Sequence, residues 1–72
     1  MLKKLLGKRV AYLRKQAGFT QEQFAEKCDY SVEFISLVER GINAPSVDRL
    51  SRMAQVLGVE VKDLFDFKTL KK

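Results

Sequence analysis

Apolar residues in the first segment recur at helical spacing. Leu6, Val10, Leu13 and Ala17 fall on one face, at offsets of 0, 4, 7 and 11, with basic residues on the other faces. Gly18 follows as a stop signal, so the pattern predicts helix 1 over approximately Leu2 to Ala17. The run Phe19-Thr20-Gln21-Glu22-Gln23-Phe24 opens a second helix. Thr20 can accept from the backbone at Gln23, Gln23 can reach back to Thr20, and Phe19 can close on Phe24, which is a capping box with a hydrophobic staple. Helix 2 carries Phe24, Ala25 and Cys28 inward and reaches about Cys28. Asp29 stands at the chain reversal, where Asp tolerates left-handed backbone better than most residues.

Ser31 caps helix 3, which runs to Arg40 before Gly41, with Ile35 and Val38 on its core face and Tyr30 placed to staple on Ile35. Pro45 pushes Ala44 out of the helical region, so residues 42–45 form a loop. Ser46 then caps helix 4, with Val47, Leu50, Met53, Ala54 and Leu57 inward and Gly58-Val59 as its stop. A short helix 5 is predicted over about Lys62 to Phe65. Sustained alternation at period two is absent, which makes the chain all-α. Residues 1–66 read as one domain and 67–72 as a basic C-terminal tail. Phe67 and Leu70 have no obvious place in a five-helix core, so the tail is either frayed or part of a dimer contact.

Composition narrows the chemistry. A chain of 72 residues is one domain at most, and such a chain buries only roughly 60% of its unfolded surface. With one cysteine and no histidine it can form neither an internal disulfide, a Cys/His zinc site nor a histidine general base. Cys28 reads as a small buried hydrophobe, and a reducing cytoplasm fits best. Nucleophile and base candidates do not converge on any face, so neither enzyme activity nor a cofactor, metal or small-molecule substrate is expected. Apolar runs stay well short of the roughly 20 residues needed to span a bilayer, so no membrane partner is expected.

The net charge of +5 points to an anionic partner, and its distribution is uneven. Residues 1–18 carry +6, residues 19–40 carry −3, residues 41–60 are neutral and residues 61–72 carry +2. Lys3, Lys4 and Lys15 read as a solvated face.

Only three or four residues join helices 2 and 3, the spacing of a helix-turn-helix crossing. The run Phe19-Thr20-Gln21-Glu22-Gln23-Phe24-Ala25-Glu26, followed by Phe34-Ile35-Ser36-Leu37-Val38-Glu39-Arg40-Gly41, resembles the phage repressor and Cro-type (XRE) helix-turn-helix family. The similarity continues through Asn43, Pro45, Ser46, Leu57-Gly58-Val59 and Asp63-Leu64-Phe65, and so covers residues 5–65. It implies a compact five-helix, lambda-repressor-like DNA-binding domain with helix 3 in the major groove. It also implies a prokaryotic or phage transcriptional regulator, such as a repressor, bound to double-stranded DNA as a homodimer on a pseudo-palindromic operator. Carried residue by residue, the resemblance assigns base reading to Val32, Glu33, Ser36 and Leu37. It assigns phosphate contact to Thr20, Gln21, Arg40, Asn43 and Ser46, and a structural ion pair to Arg14 and Glu39.

Helix 3 departs from the family pattern in carrying no base at Val32, Glu33, Phe34 or Leu37. Glu33 can accept from a cytosine amino group, and Val32 or Leu37 can touch a thymine methyl, yet phosphates repel Glu33. Helix 1 and the tail must therefore supply the attraction, with Lys8 and Arg9 the best-placed phosphate contacts near helix 2 and Lys71 and Lys72 a flexible supplement. The same apolar face leaves a second reading open, a protein-interaction module such as an antitoxin or anti-regulator subunit docking through Val32, Phe34 and Leu37.

Overall fold

Each of the three inner helices begins where a hydroxyl can satisfy its free amides. In the computed structural model, which describes residues 1–68, α1 spans Leu2–Gln16, α2 Gln21–Cys28, α3 Val32–Glu39 and α4 Val47–Leu57. A 3-10 helix, Val61–Phe65, follows. Leu70, Lys71 and Lys72, named above as tail residues, lie outside the described residues. Thr20 Oγ1 accepts from Gln23 N at 3.1 Å while Gln23 Oε1 accepts from Thr20 N at 2.9 Å, so the capping box is closed. Ser31 and Ser46 cap α3 and α4 in the same manner, at 3.1 and 3.2 Å. The Phe19 and Phe24 rings stack 6.3 Å apart, and Asp29 adopts the left-handed conformation at φ 63°.

The core is a single cluster to which every helix contributes. Val10 of α1, Phe24 and Cys28 of α2, Ile35 and Val38 of α3, Met53 of α4 and Leu64 of the 3-10 helix are all fully buried. Gly7 lets α1 and α3 approach closely: a Cβ there would lie 2.7 Å from the Glu39 carbonyl oxygen and closer still to that of Val38.

Three expectations change. The fifth element is a 3-10 helix, its first turn closed by Asp63 N donating to Glu60 O at 2.9 Å; five residues suffice to plug Leu64 into the core without forming an α-helix. Val47, expected inward, is 76% exposed, because the first turn of α4 projects past the core that Leu50, Met53 and Ala54 fill. Ala17 is exposed beyond the end of α1, which closes at Gln16. The Tyr30 ring, packed against the core, also makes an edge contact with Phe34 at 5.3 Å. Phe67 meets Phe65 edge-on at 6.3 Å beside the 3-10 helix.

Candidate nucleic-acid interface

Arg14 and Glu39 lock the helix-turn-helix to α1. Arg14 Nε donates to Glu39 Oε2 at 2.6 Å and Arg14 Nη2 to Glu39 Oε1 at 3.1 Å, a two-point contact whose side chains are only 9% and 6% exposed. Arg14 Nη1 also donates to the Phe19 carbonyl at 2.8 Å, which ties the α1–α2 turn into the same node. Gln21 Nε2 completes it by donating to Glu39 Oε1 at 2.9 Å. Every buried side-chain nitrogen and oxygen among the described residues has a partner, so the pair is held without an orphaned charge.

From this node α3 presents one face outward. Ile35 and Val38 are buried, while Val32 is 42% exposed, Glu33 is exposed and Ser36 and Leu37 are half-buried. The sequence-predicted reading residues therefore share an accessible face, with a carboxylate acceptor, a hydroxyl and two apolar groups. Phe34 does not share it freely. Its ring lies under the Arg49 guanidinium at 4.6 Å and against Tyr30, and Arg49 also covers Tyr30 at 5.1 Å. The docking surface of Val32, Phe34 and Leu37 is thus partly taken up by contacts within the chain.

The predicted phosphate contacts fall into two groups. Thr20 and Ser46 are exposed, and each hydroxyl accepts a capping bond that leaves its own proton for another acceptor. Arg40 and Asn43 are exposed just after α3, and Lys8 is exposed on α1. Gln21 is half-buried, with its amide nitrogen engaged by Glu39.

Arg9 is withdrawn from the set. It is only 7% exposed, its Nε donates to the Asp63 carbonyl at 2.8 Å, and its guanidinium lies 5.4 Å from the Tyr12 ring centre. It fastens the 3-10 helix to α1. Sequence reading missed this because the partner lies 54 residues away, although Arg9 does flank the apolar stripe three residues after Leu6. It also missed Arg49 and Arg52. Arg52 Nη1 lies 3.5 Å from the Cys28 carbonyl at the end of α2, and no local pattern marks either residue.

An open groove of about 500 Å³ runs between α1 and the α2–α3 unit, lined by Lys8, Tyr12, Lys15, Gln21, Glu39 and Arg40. Cys28 is fully buried, and burial pushes its thiol up to about 11 from 9.0, against a smaller opposing pull from Arg52. A thiol held neutral in this way is a poor nucleophile. Groups of three or more metal-ligating side chains are absent among the described residues, and no helix there is long and apolar enough to cross a membrane.

Known proteins are similar to this chain in sequence and in fold. Residues 10–64 match the family profile described as helix-turn-helix, HTH_3. The chain is 37% identical over 67 residues to the control protein C.BamHI of Bacillus amyloliquefaciens, covering 92% of this chain and 83% of that one. It is 34% identical over 65 residues to the immunity repressor protein of Bacillus phage phi105, covering 90% of this chain and 45% of the repressor. The crystal structure of the restriction-modification controller protein C.AhdI from Aeromonas hydrophila superposes with a TM-score of 0.85 at 28% identity, covering 88% of this chain and 96% of that one. These relatives are regulators rather than enzymes, and with the capped α2–α3 pair they make this chain a member of the phage repressor and Cro-type (XRE) helix-turn-helix family.

Proposed function

We propose that this DNA-binding regulator reads a specific double-stranded site by placing α3 in the major groove, with Val32, Glu33, Ser36 and Leu37 against base edges. The observation that carries the reading is the exposed face of α3, anchored from behind by the Arg14, Glu39 and Gln21 node. Thr20, Gln21, Arg40, Asn43, Ser46 and Lys8 flank that face and hold the sugar–phosphate backbone. Residues 1–66 form the binding unit, with residues 67–72 adding charge or a subunit contact. The protein acts in the cytoplasm as a homodimer, and its two recognition helices sit about one DNA turn apart, roughly 34 Å, on a pseudo-palindromic operator. The half-exposed Phe65 and its neighbour Phe67 supply an apolar patch for that contact. Support also comes from two relatives that the chain spans over more than four-fifths of their length and that are named as control or controller proteins.

Selection of bound sequences from a random DNA pool at moderate salt tests the proposal. An inverted repeat is the expected product. Recovery of unrelated sequences, with binding that does not weaken as salt rises, would sink it.

A further inference from the structure

The groove between α1 and the helix-turn-helix resolves a conflict in the charge distribution. Lys8, Ala11, Tyr12 and Lys15 recur at i, i+3, i+4 and i+7, so one face of α1 forms a wall of the groove. Arg40, immediately after α3, closes the far side. Lys8, Lys15 and Arg40 are all exposed, and no hydrogen bond or ion pair engages the side chain of any of them among the described residues. The one acid in the lining, Glu39, is already taken up by Arg14 and Gln21 at 2.6 to 3.1 Å. Three cations therefore face an open concavity whose only carboxylate is neutralised from within. Such an arrangement focuses positive potential outward. The groove is open to solvent rather than an enclosed cavity.

We infer that this groove is a seat for the sugar–phosphate backbone of DNA, and that Lys15, with Lys8 and Arg40, supplies the attraction that α3 lacks. The inference rests on the proposal that α3 reads DNA and adds to it a contact residue, Lys15, on a different helix. Because Arg40 belongs both to the groove and to the end of α3, the seat is continuous with the reading face. Phosphates bordering the major groove can therefore run from Arg40 toward Lys15 while Glu33 stays over the bases. Division of labour between helices lets an acidic reading residue coexist with affinity. Tyr12, whose ring sits beside Arg9, also lines the groove.

The test is the salt dependence of DNA binding by the full chain and by Lys15→Gln, with Lys27→Gln, an exposed lysine on α2 away from the groove, as the control for simple loss of charge. For Lys15→Gln the slope of log affinity against log salt is expected to fall by about 0.9, which is about 3.5-fold less affinity lost per fourfold rise in salt. Its preference among base pairs should not change, whereas Lys27→Gln should stay within about twofold of the parent protein at each salt concentration. Identical slopes for Lys15→Gln and the parent, with circular dichroism showing both folded, overturn the inference while leaving the reading role of α3 intact. An altered base preference in Lys15→Gln also overturns it, since a backbone contact carries no sequence information. A parent protein that binds neither selected nor random DNA overturns the seat and the proposed function together.

Discussion

Adding a single methyl group at Gly7 sets two sizeable effects against each other. Gly7 lies in the interior of α1, where replacing Gly by Ala ordinarily stabilises a helix by about 1 kcal/mol. Here the new Cβ would meet backbone, with the Glu39 carbonyl oxygen at 2.7 Å, its carbon at 3.0 Å and the Val38 oxygen nearer still. Carbonyl groups fixed in a helix cannot swing aside as a side chain would. Reaching ordinary contact at 3.4 Å requires α1 and α3 to part by about 0.7 Å at the Glu39 oxygen, and by more at Val38. Overpacking of this kind costs about 1 to 3 kcal/mol, and with no flexible atom to yield, the upper end applies. The clash outweighs the propensity gain, so Gly7→Ala should lose about 2 kcal/mol. For a domain of this size that is a fall in Tm of about 10 °C. Urea unfolding followed by circular dichroism measures it, with Gly18→Ala for comparison. Gly18 has a φ of +84° but open space around its Cβ position, so it should lose only about 1 kcal/mol, from backbone strain alone. A Gly7→Ala protein as stable as the parent or more so would show that α1 and α3 do not approach as closely as described.

Three further outcomes follow from the same contacts. Glu39→Gln leaves the Arg14 guanidinium buried without its counter-charge and should cost about 3 kcal/mol, of a total stability of about 4 to 11 kcal/mol; a loss under about 1 kcal/mol in urea unfolding would mean that the pair behaves as a surface salt bridge. Cys28 has a raised folded pKa, so its contribution to stability is complete below pH 9.0 and disappears as the pH climbs toward about 11. Cys28→Ala should therefore show a shallower decline in stability over that window than the parent, and equal slopes would refute the assignment. Glu33→Gln should change preference at one base pair, whereas Gln21→Ala should weaken binding across all sequences; the reverse pattern in competition binding would reassign both residues.

The sequence by itself determined the local architecture. Thr20 with Gln23, Ser31 and Ser46 marked helix starts, and Asp29 marked the turn, because caps and reversals are settled by bonds spanning only a few residues. The spacing of apolar residues likewise gave the core faces of α1 to α3, and resemblance to a known family supplied the Arg14 and Glu39 pair. Tertiary structure decided which polar and apolar side chains the assembled surface leaves free. Arg9 and Lys8 are neighbours in a uniformly basic stretch, yet Arg9 is buried against the Asp63 carbonyl and Lys8 is not, because the 3-10 helix docks on one side of α1. Val47 satisfies the helical period and is still exposed, since period fixes a direction around the axis but not how far along it the core extends. Arg49 over Phe34, and Lys15 and Arg40 lining one groove, are likewise products of how helices cross. The excess charge of the first eighteen residues is visible in composition, but its gathering into a groove next to α3 depends on the close approach that Gly7 permits and Arg14 holds.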